Sequence, residues 1–241
     1  MARPPGDAPL TYWERVATTE WGRYLTAREE YVLEVGSRAA QSAGSALEVG
    51  SEGGRWSVWL HDRGWSLTCS DIDPEVLAIC QERLPGARCV LTSPQDVTLP
   101  AADASADLLL VYEVPSVTGA RWFPREAHRV LRPGGVLVCS FHNPISIRGL
   151  AYRALARIDQ RRRQAGHYRG QPYSKIRGAI RSAGFRFIYE EGLAWGPFSR
   201  ESNSRAIPAW ASLEGRLRLR RLPRVSPLVL AVAQRATEGM L

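Results

Sequence analysis

The apolar and polar positions divide the chain into a helical beginning and an alternating strand–helix remainder. Over residues 11–43, aromatic and apolar side chains, among them Tyr12, Trp13, Trp21, Tyr24 and Tyr31, interleave with charge at helical spacing. Residues 46–49 predict a short strand ending at Gly50, 56–63 a helix stopped by Gly64, and 65–70 a second strand. A helix follows over 74–84, with Pro74 in its first turn. Further strands are predicted at 88–91, 107–112 and 135–141, with a helix over 124–131. The run 107–112 is almost continuously apolar, as in a strand buried on both faces. Beyond it, Ile147, Leu150, Ala151, Ala154, Leu155 and Ile158 share one helical face, while Arg148, Arg153, Arg157 and Arg161 lie elsewhere around that helix. A helix over 174–183, closed by Gly184, and strands at 185–189 and 228–233 complete the pattern.

Such alternation predicts an α/β fold: a doubly wound, mostly parallel seven-stranded sheet with helices on both faces. We divide it into an N-terminal helical cap (11–43), a core (44–142), a basic helical insert after strand five (143–183) and C-terminal strands (184–241). The 241 residues fit one domain, and 44% hydrophobic content supports a sizeable core.

Composition changes this picture in three places. No apolar run approaches the roughly 18–20 residues of a membrane span, and the first seven residues carry no apolar stretch of signal type. A cytoplasmic protein is the expectation. Cys69, Cys80, Cys89 and Cys139 show neither CxxC nor metal-ligand spacing, so neither a metal site nor a disulfide is expected. The net charge of +8 is uneven: residues 1–145 hold 13 Arg against 18 acidic residues, and 146–241 hold 19 Lys+Arg against 6. A basic C-terminal half suits an anionic partner, and equally a solvated basic face.

Candidate chemistry concentrates in Leu47-Glu48-Val49-Gly50-Ser51-Glu52-Gly53-Gly54, where a strand runs through a glycine-rich turn into a helix. In open α/β sheets ligands bind at such carboxyl ends of strands. A dinucleotide GxGxxG pattern starting at Gly50 fails at Glu52 and Arg55. Glu52 would also direct negative charge at a pyrophosphate, whereas a ligand carrying an ammonium and a sulfonium tolerates it. Asp71 follows strand two, 21 residues after Gly50, and a carboxylate there can accept both ribose hydroxyls. Asp73 is the better N-cap for the helix at Pro74.

Together with Asp96-Val97-Thr98-Leu99-Pro100 and Arg129-Val130-Leu131-Arg132-Pro133-Gly134-Gly135, these segments resemble the class I S-adenosylmethionine-dependent methyltransferases, nearest their bacterial small-molecule branch. Glu48, Gly50 and Gly54 match the family's acidic-plus-GxGxG motif, and Glu52 stands in place of its middle glycine. The resemblance implies S-adenosyl-L-methionine as cofactor. It implies contacts from Glu48, Gly50, Ser51, Glu52, Gly54 and Ile72, ribose on Asp71, and adenine on Asp96 and the backbone of Val97, with Gln95 the alternative to Asp96. Tyr112, at the end of strand four, completes the implied set.

Methyl transfer from a sulfonium is an in-line displacement with the nucleophile held about 3 Å from the methyl carbon. Aromatic faces favour the cation, which makes Tyr12, Trp13 and Tyr24 candidates for a lid, with helix packing as the other reading. His142 after strand five is the candidate base, Glu113 after strand four a partner in catalysis or binding, and Asn143 an orienting group. The expected acceptor is a small molecule of quinone, glycan or lipid-like kind. The basic insert suits an anionic or lipid-linked acceptor, or peripheral contact with a membrane. A nucleic-acid methyltransferase is the first alternative, drawn from Arg161-Arg162-Arg163 and the arginines of 216–224. Against it, Tyr112-Glu113-Val114-Pro115 lacks the Pro-Pro-aromatic grip on a flipped base. A non-catalytic cofactor-binding partner protein is the second.

Overall fold

Helical periodicity at the start of the chain resolves into two helices, α1 (Tyr12–Ala17) and α2 (Glu20–Ala39). This is a computed structural model, and it describes residues 10–156 and 171–237. The break falls at Thr18-Thr19, where Thr19 turns extended and its hydroxyl accepts the Gly22 amide at 3.0 Å, capping α2. Position 22 must be glycine: a Cβ there would lie 1.7 Å from the Val16 carbonyl oxygen.

The remaining elements are β1 (Ser45–Val49), α3 (Arg55–His61), β2 (Ser66–Asp71), α4 (Pro74–Arg83), β3 (Arg88–Leu91), β4 (Ala106–Val111), α5 (Pro115–Thr118), α6 (Phe123–Val130), β5 (Leu131–His142), α7 (Ile147–Ala156), α8 (Tyr173–Ser182), β6 (Phe185–Leu193), α9 (Ile207–Arg216) and β7 (Leu228–Arg235). They form one seven-stranded sheet in the order β3-β2-β1-β4-β5-β7-β6. The first five strands pair parallel, and β7 lies antiparallel between β5 and β6. The predicted mostly parallel, doubly wound sheet is therefore present. Strand order reverses between β1 and β4, which opens a crevice above their carboxyl ends.

Each face of the sheet is buried. One packs Ala46, Cys69, Leu108 and Val138 against Trp21, Leu25, Val32 and Leu33 of α2. The other packs Leu109, Leu137 and Val229 against Phe123, Ala127 and Val130 of α6 and Ile176 and Ile180 of α8. Two-sided burial explains why β4 reads as an uninterrupted apolar run.

Three local expectations change. α6 ends at Val130, and β5 begins at Leu131 rather than at 135. Leu131 pairs with Ala106 and Val136 with Leu108, so Arg132–Gly135 form a bulge, with Gly134 at φ +81°. α5 and α9 add two helices beyond the predicted elements. The cysteines, separate in sequence, do not stay separate: Cys69, Cys80 and Cys89 bring their Sγ atoms within 4.8 Å of one another.

Candidate cofactor and acceptor site

The glycine-rich turn follows β1 with three left-handed residues, Gly50 at φ +73°, Glu52 at +49° and Gly54 at +81°. A side chain at Gly50 would strike Val114, its Cβ 2.3 Å from Cγ2. The Gly50 and Ser51 amides both donate to the Ser70 carbonyl, at 2.8 and 3.0 Å, which fixes the turn on β2.

Glu52 occupies a backbone region that favours glycine, and its contacts account for it. Its carboxylate accepts the Thr11 hydroxyl at 2.7 Å and the Trp13 amide at 3.1 Å. The departure from the motif thus latches α1 over the turn. A second tie joins Glu14 to Arg83 at 2.5 Å, and Arg83 also donates to the Gly53 carbonyl at 2.7 Å.

Below α1 a cleft of about 680 Å³ brings together Gly50, Glu52, Asp71, Ile72, Asp96 and Tyr112. Tyr12 and Trp13 of α1 form its cover. Asp71 accepts the Glu52 amide at 2.8 Å on one oxygen and the Asp73 amide at 3.0 Å on the other, and each oxygen keeps a further lone pair. Asp73 caps α4 by accepting the Glu75 amide at 2.9 Å, as expected from sequence. Asp96 reaches the cleft and closes its own turn by accepting the Ser93 amide at 2.8 Å; Gln95 is absent from the lining. Val97 is exposed, and only its neighbours Asp96 and Thr98 line the cleft.

A narrower crevice continues inward between Trp13, Glu48, Ser51, Arg55, Trp56 and Glu113. Ser51 Oγ and Trp56 Nε1 are buried in it with no hydrogen-bond partner among the described residues. Glu48 is fully buried; desolvation pushes its carboxyl up to about 8 despite the Ser57 hydroxyl that donates to it. Tyr112 is buried beside it, its hydroxyl donating to the Glu29 carbonyl at 3.0 Å. Exposed acceptors on Asp71 at one end and unpartnered buried donors at the other fit a ligand with a ribose and a polar amino-acid tail.

Tyr24 is not part of this site. Its hydroxyl donates to the buried Glu214, its ring packs on Trp21 at 5.0 Å, and it lines neither cleft nor crevice. The helical period could not tell a lid tyrosine from a core one.

Beyond Glu113 lies a second cavity of about 370 Å³, bordered by Tyr12, Glu113, His142, Arg148, Tyr152 and Arg200. Tyr12 and Glu113 belong to both spaces. Glu113 holds φ +57°, with its amide donated to Ser140 Oγ at 2.7 Å. Its Oε2 meets His142 Nε2 at 3.1 Å and Arg200 Nη2 at 2.5 Å, and Arg200 is 3.3 Å from His142 Nε2. Arg200 also stacks over Trp13 at 4.6 Å. The pairing of Glu113 with His142 follows from strand ends adjacent in the sheet. Arg200 comes from the loop after β6 and has no sequence motif to announce it. Asn143 faces away: its side chain donates to the Arg224 carbonyl at 2.9 Å.

The insert helix is turned opposite to the simple amphipathic expectation. Arg148 points inward and donates to the Gly196 and Phe198 carbonyls at 3.3 and 2.5 Å. Ile147 and Leu150 are instead 77% and 52% exposed. Ile158, Arg157 and Arg161–Arg163 lie outside the described residues.

Comparison with known proteins agrees with this geometry. Residues 47–139 match the family model described as a methyltransferase domain. A demethylmenaquinone methyltransferase of Tropheryma whipplei is 30% identical over 135 residues, which are 55% of this chain and 49% of that protein. The chain thus spans about half the length of the curated relatives it matches. Among solved structures, the [4+2]-cyclase SpnF superposes with TM-score 0.59 at 16% identity, covering 88% of this chain and 82% of that one. The N-methyltransferase NodS of Bradyrhizobium japonicum, in complex with S-adenosyl-L-homocysteine, gives TM-score 0.58 at 16% identity, covering 92% and 90%. No helix among the described residues is long and apolar enough to cross a membrane. The glycine-rich turn and the carboxylate ending β2 both lie in or beside the segment 47–139 that is similar to a methyltransferase domain, and the fold is the one those solved structures share.

Proposed function

We propose that the chain methylates a hydroxyl or activated carbon of a small acceptor of the quinone or lipid-like class, seated in the cavity beside His142. The observation that carries this reading is the shared wall: Tyr12 and Glu113 border both the cofactor cleft and the second cavity, and His142 lines the second cavity 3.1 Å from Glu113. The similarity to a demethylmenaquinone methyltransferase supports a quinone-type acceptor. When bound, S-adenosylmethionine supplies a methyl group made electrophilic by its sulfonium.

The chain's own residues bind, align and deprotonate. Asp71 accepts the ribose hydroxyls, and the α1 cover excludes water. The His142 imidazole takes the acceptor's hydroxyl proton, and the Glu113 carboxylate 3.1 Å from its Nε2 stabilises the imidazolium that forms. Arg200 neutralises Glu113 between turnovers and holds it against His142. Ile147 and Leu150, exposed on the helix whose Arg148 and Tyr152 border the cavity, give an apolar acceptor or a membrane surface a place of approach.

Calorimetry with S-adenosylhomocysteine, followed by a turnover screen of quinols, phenols and lipids, tests the proposal. His142→Gln should lower kcat about 10²–10⁴-fold and leave the cofactor dissociation constant unchanged. No heat with the cofactor product at millimolar concentration overturns the whole reading. Undiminished turnover in His142→Gln overturns the base.

A further inference from the structure

Cys69 and Cys89 are register partners on the adjacent parallel strands β2 and β3, so their side chains leave the same face of the sheet. α4 packs on that face through Leu77 and Cys80, and sets the Cys80 thiol beside the other two. All three Sγ atoms lie within 4.8 Å of one another. Three thiolates around one ion, at a metal–sulfur bond of about 2.3 Å, stand about 4.0 Å apart. The cluster therefore needs a movement below one ångström to close on a metal.

We propose that Cys69, Cys80 and Cys89 form a three-sulfur binding site for a soft, thiophilic divalent metal ion, separate from the methyl-transfer site. Thiolate sulfur selects soft ions over Mg²⁺ or Ca²⁺. The balance is simple: a divalent ion enters, two thiols lose their protons to become thiolates that neutralise it, and the third sulfur completes the shell. A neutral site is what an apolar core accepts, since uncompensated charge there is costly. Cys69 and Cys80 are fully buried, whereas Cys89 is half-buried on β3, the edge strand, which gives the ion its entry. A side chain at Gly54 would lie 2.9 Å from Cys80 Sγ, so the cluster sits directly behind the glycine-rich turn.

The test is a titration of the reduced, metal-free protein with Cd²⁺, read by the ultraviolet thiolate-to-metal charge-transfer band. The band should saturate at one equivalent, persist in Cys139→Ser and vanish in Cys80→Ser. Circular dichroism establishes that the variants are folded. A second readout needs no variant: one equivalent of Cd²⁺ should slow alkylation of Cys89 by iodoacetamide at least tenfold. Absence of a saturating band, its survival in folded Cys80→Ser, or unprotected Cys89 each overturns the site.

Discussion

Replacing Glu52 by glycine would restore the usual motif and, on this structure, loosen the α1 cover. The substitution removes the acceptor of the Thr11 hydroxyl at 2.7 Å and of the Trp13 amide at 3.1 Å. Hydrogen bonds to a charged group contribute roughly 1.5–3 kcal/mol each. Glu52 is partly exposed, so the lower end applies, about 2–3 kcal/mol for the pair. Against this, glycine relieves the left-handed backbone at φ +49° by about 1–2 kcal/mol. That relief acts on the turn in both the docked and undocked states of α1. It therefore offsets global stability and does not restore docking. Undocking of α1 should become about 30- to 150-fold more frequent, by the factor of ten that each ~1.4 kcal/mol represents. Global stability should change by only about 1–2 kcal/mol. Hydrogen exchange at the Trp13 amide measures the first quantity, denaturant unfolding the second, and cofactor-product affinity should weaken as the cover opens. Glu52→Gln keeps a neutral acceptor and should fall between. If Trp13 protection in Glu52→Gly matched the unmodified protein, the latch would be refuted.

Three more outcomes follow from the site. Asp71→Ala should weaken binding of S-adenosylhomocysteine tenfold or more by calorimetry, because charge-assisted ribose contacts of roughly 1.5–3 kcal/mol each are lost; an unchanged dissociation constant would move that role elsewhere. Glu48 has its folded carboxyl raised to about 8 from 4.5, so it binds a proton on folding, and its stabilising contribution is complete below pH 4.5 and lost as pH rises to 8. Glu48→Gln should remove a slope of up to about 1.4 kcal/mol per pH unit across that window, read from urea midpoints. Tyr24→Phe strips one donor from Glu214, which retains the Trp195 amide and the Trp210 indole at 3.1 Å each. It should cost about 1–3 kcal/mol of stability and leave cofactor affinity intact; a weaker cofactor complex would return Tyr24 to the lid.

The sequence by itself determined the elements of the sheet, because strand burial and helix periodicity are local patterns. The run 107–112 reads as a two-faced strand, and β4 is one. It also determined which strand ends carry the glycine-rich turn and the carboxylate that meet at one cleft. Gly50, Gly54 and Asp71 lie at fixed distances from strand ends, and strand ends converge in any parallel sheet. Asp73 as the α4 cap was legible for the same local reason. Only tertiary structure decided what depends on contacts between distant segments. Tyr24 and Trp13 share one helical-looking stretch, yet the turn at Thr19 sends Trp13 over the cleft and Tyr24 against Glu214, 190 positions away. Arg200 reaches Glu113 across 87 positions, and no spacing rule connects them. The rotation of α7, with Arg148 inward and Ile147 outward, inverts what hydrophobicity alone assigns, because two loop carbonyls compete successfully for the guanidinium. The three thiols make the same point: separated by 11 and 9 positions, they meet because the β2–β3 register and the packing of α4 give them one face.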